Sequence, residues 1–224
     1  MSILRKVSLV SLFGTALVSS YWSQAADYPG MDEAVRHLDD EWAHIKYQVN
    51  DRDEQFKDLQ ALAIEAAAVV VRYPGQVQPL LWNGIIESEE AAKASIIHKL
   101  SLAMAARKLF EKAEAIDKAG PGGAVAMSLG VIYYRVPGFP MGFGDNNKAR
   151  SYLQTALAID PNGLDTNYFY GDFLARRGEI DEAKRVLAHA LGAPENPARP
   201  VWDAGRRAEV RALIARIEHR TASI

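Results

Sequence analysis

The chain has 224 residues, 49% of them hydrophobic and 24% charged with both signs mixed, and a formal net charge of −2. That length fits one large domain or a short repeat array with enough apolar content for a continuous core. The balanced charge gives no basic field for nucleic acid, and the lack of cysteine excludes disulfides, thiolate catalysis and zinc–thiolate sites.

The N-terminus reads as an export signal. Arg5 and Lys6 form a positive n-region, and Val7 to Ser20 are apolar or small. Ser23-Gln24-Ala25 then offers small residues at the two positions a signal peptidase inspects. Residues 1–25 are expected to leave by cleavage before Ala26, giving a periplasmic or secreted product. Loss of Arg5 and Lys6 lowers 26 basic residues to 24 against 28 acidic ones, a mature charge of −4. The apolar run of about 14 residues falls short of the roughly 20 that span a bilayer, so no stable membrane insertion is expected after cleavage. Tyr21 and Trp22 extend the run, which leaves an uncleaved anchor as the alternative.

Residues 26–75 read as a helical hairpin. Leu38, Trp42, Ile45 and Val49 fall at helical spacing in a first helix from Met31 to Asn50. Asp51-Arg52-Asp53 makes a turn, and a second helix runs from Glu54 to Arg72, stopped by Tyr73-Pro74-Gly75. This hairpin is a degenerate first repeat.

Residues 76–197 hold three repeat-like units. The first opens at Pro79 with Gly84 on its leading helix, and a second helix runs from about Ile96 to Lys118. The second unit has Leu129-Gly130 and Tyr133, then Ala149, Leu153 and Ala156; the third has Gly171, then Ala183, Leu187 and Ala190. The glycine-to-alanine gap is 12 in the third unit, 22 in the first and 19 in the second. The first insertion, around Glu87 to Lys99, is helix-favouring and is expected to lengthen the helices. The second, Val136 to Asp145, is too rich in glycine and proline for helix. Residues 198–224 give a last helix from Asp203 to His219 with Val210, Leu213, Ile214 and Ile217 on one stripe, followed by a tail. One apolar and one wet face suit a capping helix, so Arg206, Arg207, Arg211, Arg216 and Arg220 are expected in solvent.

Ala149, Leu153 and Ala156 recur 34 residues later as Ala183, Leu187 and Ala190. In period and order this resembles the tetratricopeptide repeat, a helix–turn–helix unit. The resemblance implies an all-α fold: a short right-handed helix-turn-helix solenoid with a C-terminal capping helix, of a kind that mostly binds other molecules.

Two further stretches carry a narrower resemblance. One is the Val136–Asp145 loop with Lys148-Ala149; the other is Asn167-Tyr168-Phe169-Tyr170-Gly171-Asp172-Phe173-Leu174 with the later Asp203-Ala204-Gly205-Arg206-Arg207. Together they resemble exported bacterial tetratricopeptide proteins, similar in layout to the T-components of TRAP-type solute transporters. That likeness implies a periplasmic adaptor that forms homo-oligomers and hands a small molecule to a periplasmic solute-binding protein. The chain departs from it in lacking the lipoprotein cysteine.

Two candidate sites follow. The loop offers Phe139, Met141, Phe143 and Asp145 for a partner; the alternative is that Phe139 and Phe143 fold back as a plug. In the repeat the first helix lines the concave groove. Helical spacing from Gly130 and Gly171 turns Met127, Val131, Tyr134 and Arg135, then Asp165, Tyr168, Asp172 and Arg176, inward. Tyr134, Arg135, Tyr168, Asp172 and Arg176 suit a peptide or a small polar molecule, against the alternative of a plain Asp172–Arg176 ion pair one turn apart. His37, Glu41 and His44 share a helix face, but one helix alone supplies them and a solvated surface is expected, with no metal site. No catalytic motif and no cofactor motif is present. The sequence favours a non-enzymatic binder of protein or peptide in the cell envelope, with the small-molecule accessory of a solute uptake system as the other reading.

Overall fold

The computed structural model describes residues 28–222, so the expected export signal and expected cleavage point lie outside the described residues. These residues form α1 (Met31–Tyr47), α2 (Arg52–Arg72), α3 (Val77–Lys93), α4 (Ile96–Ile116), α5 (Ala124–Arg135), α6 (Asn146–Ile159), α7 (Leu164–Arg176), α8 (Ile180–Leu191) and α9 (Pro200–Ala222). No strand occurs among them. A single turn of 3-10 helix, Pro121–Gly123, precedes α5.

Local chemistry sets the helix ends. Asp51 is not mid-turn but the N-cap of α2, its carboxylate accepting from Asp53 N at 3.0 Å and Glu54 N at 2.8 Å. The helix therefore starts at Arg52, two residues before the predicted Glu54. Asp145 caps α6 in the same way, accepting from the amides of Asn147 and Lys148. After α7 the chain reverses through Gly178 at φ 79°, a left-handed geometry that glycine adopts without steric cost. Thr166 Oγ1 donates to Asp160 O at 2.7 Å and Asn167 Nδ2 to Pro161 O at 2.9 Å, which fastens the α6–α7 turn to the start of α7.

Consecutive helices pack as hairpins, and one contact repeats. A Cβ on Gly84 of α3 would lie 2.4 Å from the Phe110 ring of α4. The equivalent distance is 2.7 Å from Gly130 to Leu153 and 2.6 Å from Gly171 to Leu187. Each first helix thus exposes bare backbone where the second helix inserts a large apolar side chain; Phe110, Leu153 and Leu187 are almost fully buried. The insertions differ as their composition demands. α3 and α4 reach 17 and 21 residues, against 13 and 12 for α7 and α8. Residues 136–145 form a loop.

α9 caps the last repeat and does more. It packs on α7 and α8 and also on α1, so the last helix meets the first. The expected wet arginine face is corrected at two positions: Arg206 is 2% exposed and Arg207 9%. Arg207 pairs with Asp203 at 2.8 Å and donates to the carbonyls of Leu191, Ala193 and Pro194. It supplies the cationic partner that the carbonyl end of α8 lacks. Among the described residues, no helix is long and apolar enough to cross a membrane.

Candidate functional site

The first helices of the hairpins, α1, α3, α5 and α7, together with α9 and Lys99, Ala103 and Phe110 of α4, line an open concave cavity of about 1030 Å³. Trp42, Leu81, Trp82, Ile85, Val131 and Phe169 give it apolar wall, and Asp39, Glu89, Arg135, Asp165, Asp172, Arg176, Arg199 and Arg206 give it charge. Of the eight residues expected to face inward, seven line it. Tyr134 does not; its ring packs 5.7 Å from that of Phe173.

Asp172 is the hub of the groove candidates. It is buried, accepts from Tyr134 Oη at 2.7 Å and from Arg176 Nε at 3.1 Å, and lies 3.5 Å from Arg135 Nη2. The i, i+4 pair is therefore present, but as one arm of a four-residue cluster. Burial, with the Asp172 carboxylate beside it, pushes the Tyr134 phenol up, so Tyr134 stays a donor at any working pH. Tyr168 stands apart from that cluster. It stacks at 4.5 Å on the guanidinium of Arg206, with Phe169 also 4.6 Å from the same cation.

A second network closes the ring where α1 meets α9. Arg206 pairs with Asp165 at 2.6 Å and Glu209 at 2.5 Å. Lys46 reaches Glu89 at 2.6 Å and Glu209 at 3.8 Å, and Arg199 holds Asp39 at 2.5 Å. Burial alone would raise the Glu89 carboxyl, but Lys46 overrides it and draws the group down to about 2. Burial raises the Asp39 carboxyl in spite of Arg199. The charges at this closure are thus neutralised inside the protein. Two indoles are not satisfied: Nε1 of Trp42, a cavity-lining side chain, and Nε1 of Trp202 on α9 are both buried without an acceptor among the described residues.

The loop candidates separate. Phe139 is 94% exposed and Met141 73%, whereas Phe143 folds back edge-on to Tyr133 at 6.0 Å beneath the Arg107 guanidinium at 4.3 Å. The plug is Phe143 alone. Asp145, half-buried, spends its carboxylate Oδ1 on the cap of α6. The histidine face is exposed: His37 meets Glu65 of α2 at 3.3 Å and His44 meets Gln48 at 2.7 Å, so the two rings do not converge with Glu41.

Sequence reasoning found the α5 and α7 walls and missed those of α1, α3 and α9. The α9 wall had a signal: Gly205 beside Arg206 and Arg207 is a bare backbone position inside a helix, which marks close approach of another element.

No curated protein matches the chain. Among solved structures it is similar to a thermophilic tetratricopeptide-repeat protein of Thermus thermophilus, at 15% identity and TM-score 0.55, over 84% of this chain and 90% of that one. It also aligns with the pilF structure of Pseudomonas aeruginosa, at 14% identity over 87% of this chain and 100% of that one. The TM-score there is 0.35, too loose to carry an argument. The family model for the tetratricopeptide repeat matches residues 141–217. Residues 141–217 thus carry tetratricopeptide repeats, and the helical hairpins before them extend the same kind of solenoid.

Proposed function

We propose that this chain is a non-enzymatic interaction module of the cell envelope that holds an extended segment of a protein partner in its concave cavity. The carrying observation is the composition of the wall. Trp42, Leu81, Trp82, Ile85, Val131 and Phe169 supply apolar wall, while Asp172, Glu89, Asp39 and Arg206 already have protein partners. An ionic small ligand would have to break buried pairs, whereas an uncharged peptide stretch needs mainly apolar contact. Envelope location rests on the basic n-region and short apolar run of residues 1–25.

A second reading, the small-molecule accessory of an uptake system, is favoured by one observation. α9 closes on α1, and the cavity of about 1030 Å³ sits at the upper end of the range for small-ligand pockets, roughly 300–1,000 Å³. A photo-crosslinking residue at Val131, in the wall, separates the two when compared with one at Val71, exposed on α2. The peptide reading expects one recurring polypeptide segment joined to position 131 and not to position 71. No polypeptide at position 131, with a small molecule retained through purification and seen by native mass spectrometry, establishes the second reading instead.

A further inference from the structure

We infer that the solenoid edge formed by the first turns of α4 and the α5–α6 loop is a docking face for an anionic lipid bilayer surface. Five of the nine exposed large apolar side chains among the described residues, Ile96, Ile97, Met104, Phe139 and Met141, lie on these two segments. Ile96 is 90% exposed, Ile97 82%, Phe139 94% and Met141 73%. The two segments lie side by side: a Cβ on Gly142 would lie 3.5 Å from Leu100 Cδ1, and Arg107, two turns further along α4, covers the Phe143 ring. Ile97 and half-exposed Met104 continue the face along α4. Nothing in the fold requires Phe139 or Met141 to be large and apolar, because neither packs on the core.

Charge selects the occupant. From Ile96 to Phe110 α4 carries Lys99, Arg107 and Lys108 and no acidic residue, in a chain whose net charge is −2. The neighbouring acids are committed: Glu90 is buried, Glu111 pairs with Arg107 at 3.3 Å, and Asp145 caps α6. Exposed Lys108, and exposed Lys99 where α4 also borders the cavity, add positive charge to this helix without a paired acid. Isoleucine, phenylalanine and methionine above the surface with lysines on α4 match the acyl boundary and headgroups of an anionic bilayer. A protein partner would gain nothing from this uncompensated positive charge unless it were itself acidic. The contact is peripheral, burying side-chain tips and no backbone. It orients the solenoid edge-on, with the cavity lying between the first helices and not on the lipid. This face is independent of the groove reading, so either can fail alone.

The test is flotation of the full chain with vesicles of phosphatidylcholine alone and of phosphatidylcholine with phosphatidylglycerol. Binding is expected to the anionic vesicles and to weaken with salt. The triple variant I97S, F139S, M141S is expected to lose at least about tenfold in partitioning at an unchanged melting temperature, since all three side chains are exposed. The pair K99E, K108E is expected to abolish the preference for anionic lipid. Full-chain binding that the triple variant retains assigns membrane affinity to another segment and overturns the inference. So does an absence of vesicle binding, including the case in which the triple variant loses an acidic protein partner instead.

Discussion

Gly205 of α9 lies directly on the ring of Tyr47 of α1: a Cβ at position 205 would fall 2.4 Å from two ring carbons. Tyr47 in turn donates to Glu209 at 3.3 Å, so ring closure is a contact of backbone, ring face and hydrogen bond. Gly205→Ala should therefore destabilise, although alanine is the better helix former by about 1 kcal/mol. The overpacked atoms are the root of a half-buried ring, and relief needs movement of a whole helix, at ~1–3 kcal/mol. A lowered melting temperature with loss of protease resistance between α9 and α1 is expected; a raised one would mean the helices are not in contact.

Gly171→Leu should be more damaging. Leu187 already fills the space a side chain at 171 would enter, at 2.6 Å from the first added carbon. The expected cost is ~3 kcal/mol or more, since small-to-large overpacking and backbone shift add. Thermal melting of the variant measures it, and an unchanged midpoint would contradict the hairpin packing.

The repeat was legible because its code is steric. A glycine and a partner of fixed size, three times over, can be read from a single sequence. The insertions were legible for the same reason, since proline and glycine forbid helix in one and alanine and glutamate permit it in the other. The closure was not. Arg206 and Arg207 look like surface residues until Asp165, Glu209 and the end of α8 are placed around them, and no periodicity within α9 encodes a contact with α1, about 160 residues earlier. The split between Phe139 and Phe143 was equally hidden, because both are phenylalanines in one flexible-looking loop. Only the position of Arg107 and Tyr133 decides between them.

That split makes a paired prediction. Phe143→Ser removes a half-buried ring from between Tyr133 and Arg107 and should cost roughly 1–2 kcal/mol, a fraction of the ~3–5 for a fully buried phenylalanine. Phe139→Ser should leave the melting temperature within the ~0.5 kcal/mol scatter of surface changes. Equal losses from the two substitutions would refute the arrangement of the loop.

The Lys46–Glu89 pair predicts a pH dependence with a definite sign. Glu89 is held near 2, below its ordinary 4.5, so the folded state binds its proton more weakly than the unfolded state does. Its contribution is complete above about pH 5 and is lost as pH falls through 4.5 toward 2. The size is on the order of 2–3 kcal/mol. Asp39, Glu87 and Glu90 act in the opposite direction, since burial raises all three and their protonation favours the fold as pH falls. The whole-protein acid transition is therefore shallower than Glu89 alone would give, and a difference measurement isolates it. Glu89→Gln should melt well below the parent at pH 6, because Lys46 is left facing an uncharged amide. The gap should close steadily between pH 5 and pH 3. A gap that stays constant across that interval would show that Glu89 is not ionised against Lys46, and that the α1–α3 contact is held by Trp42 and Trp82 packing instead.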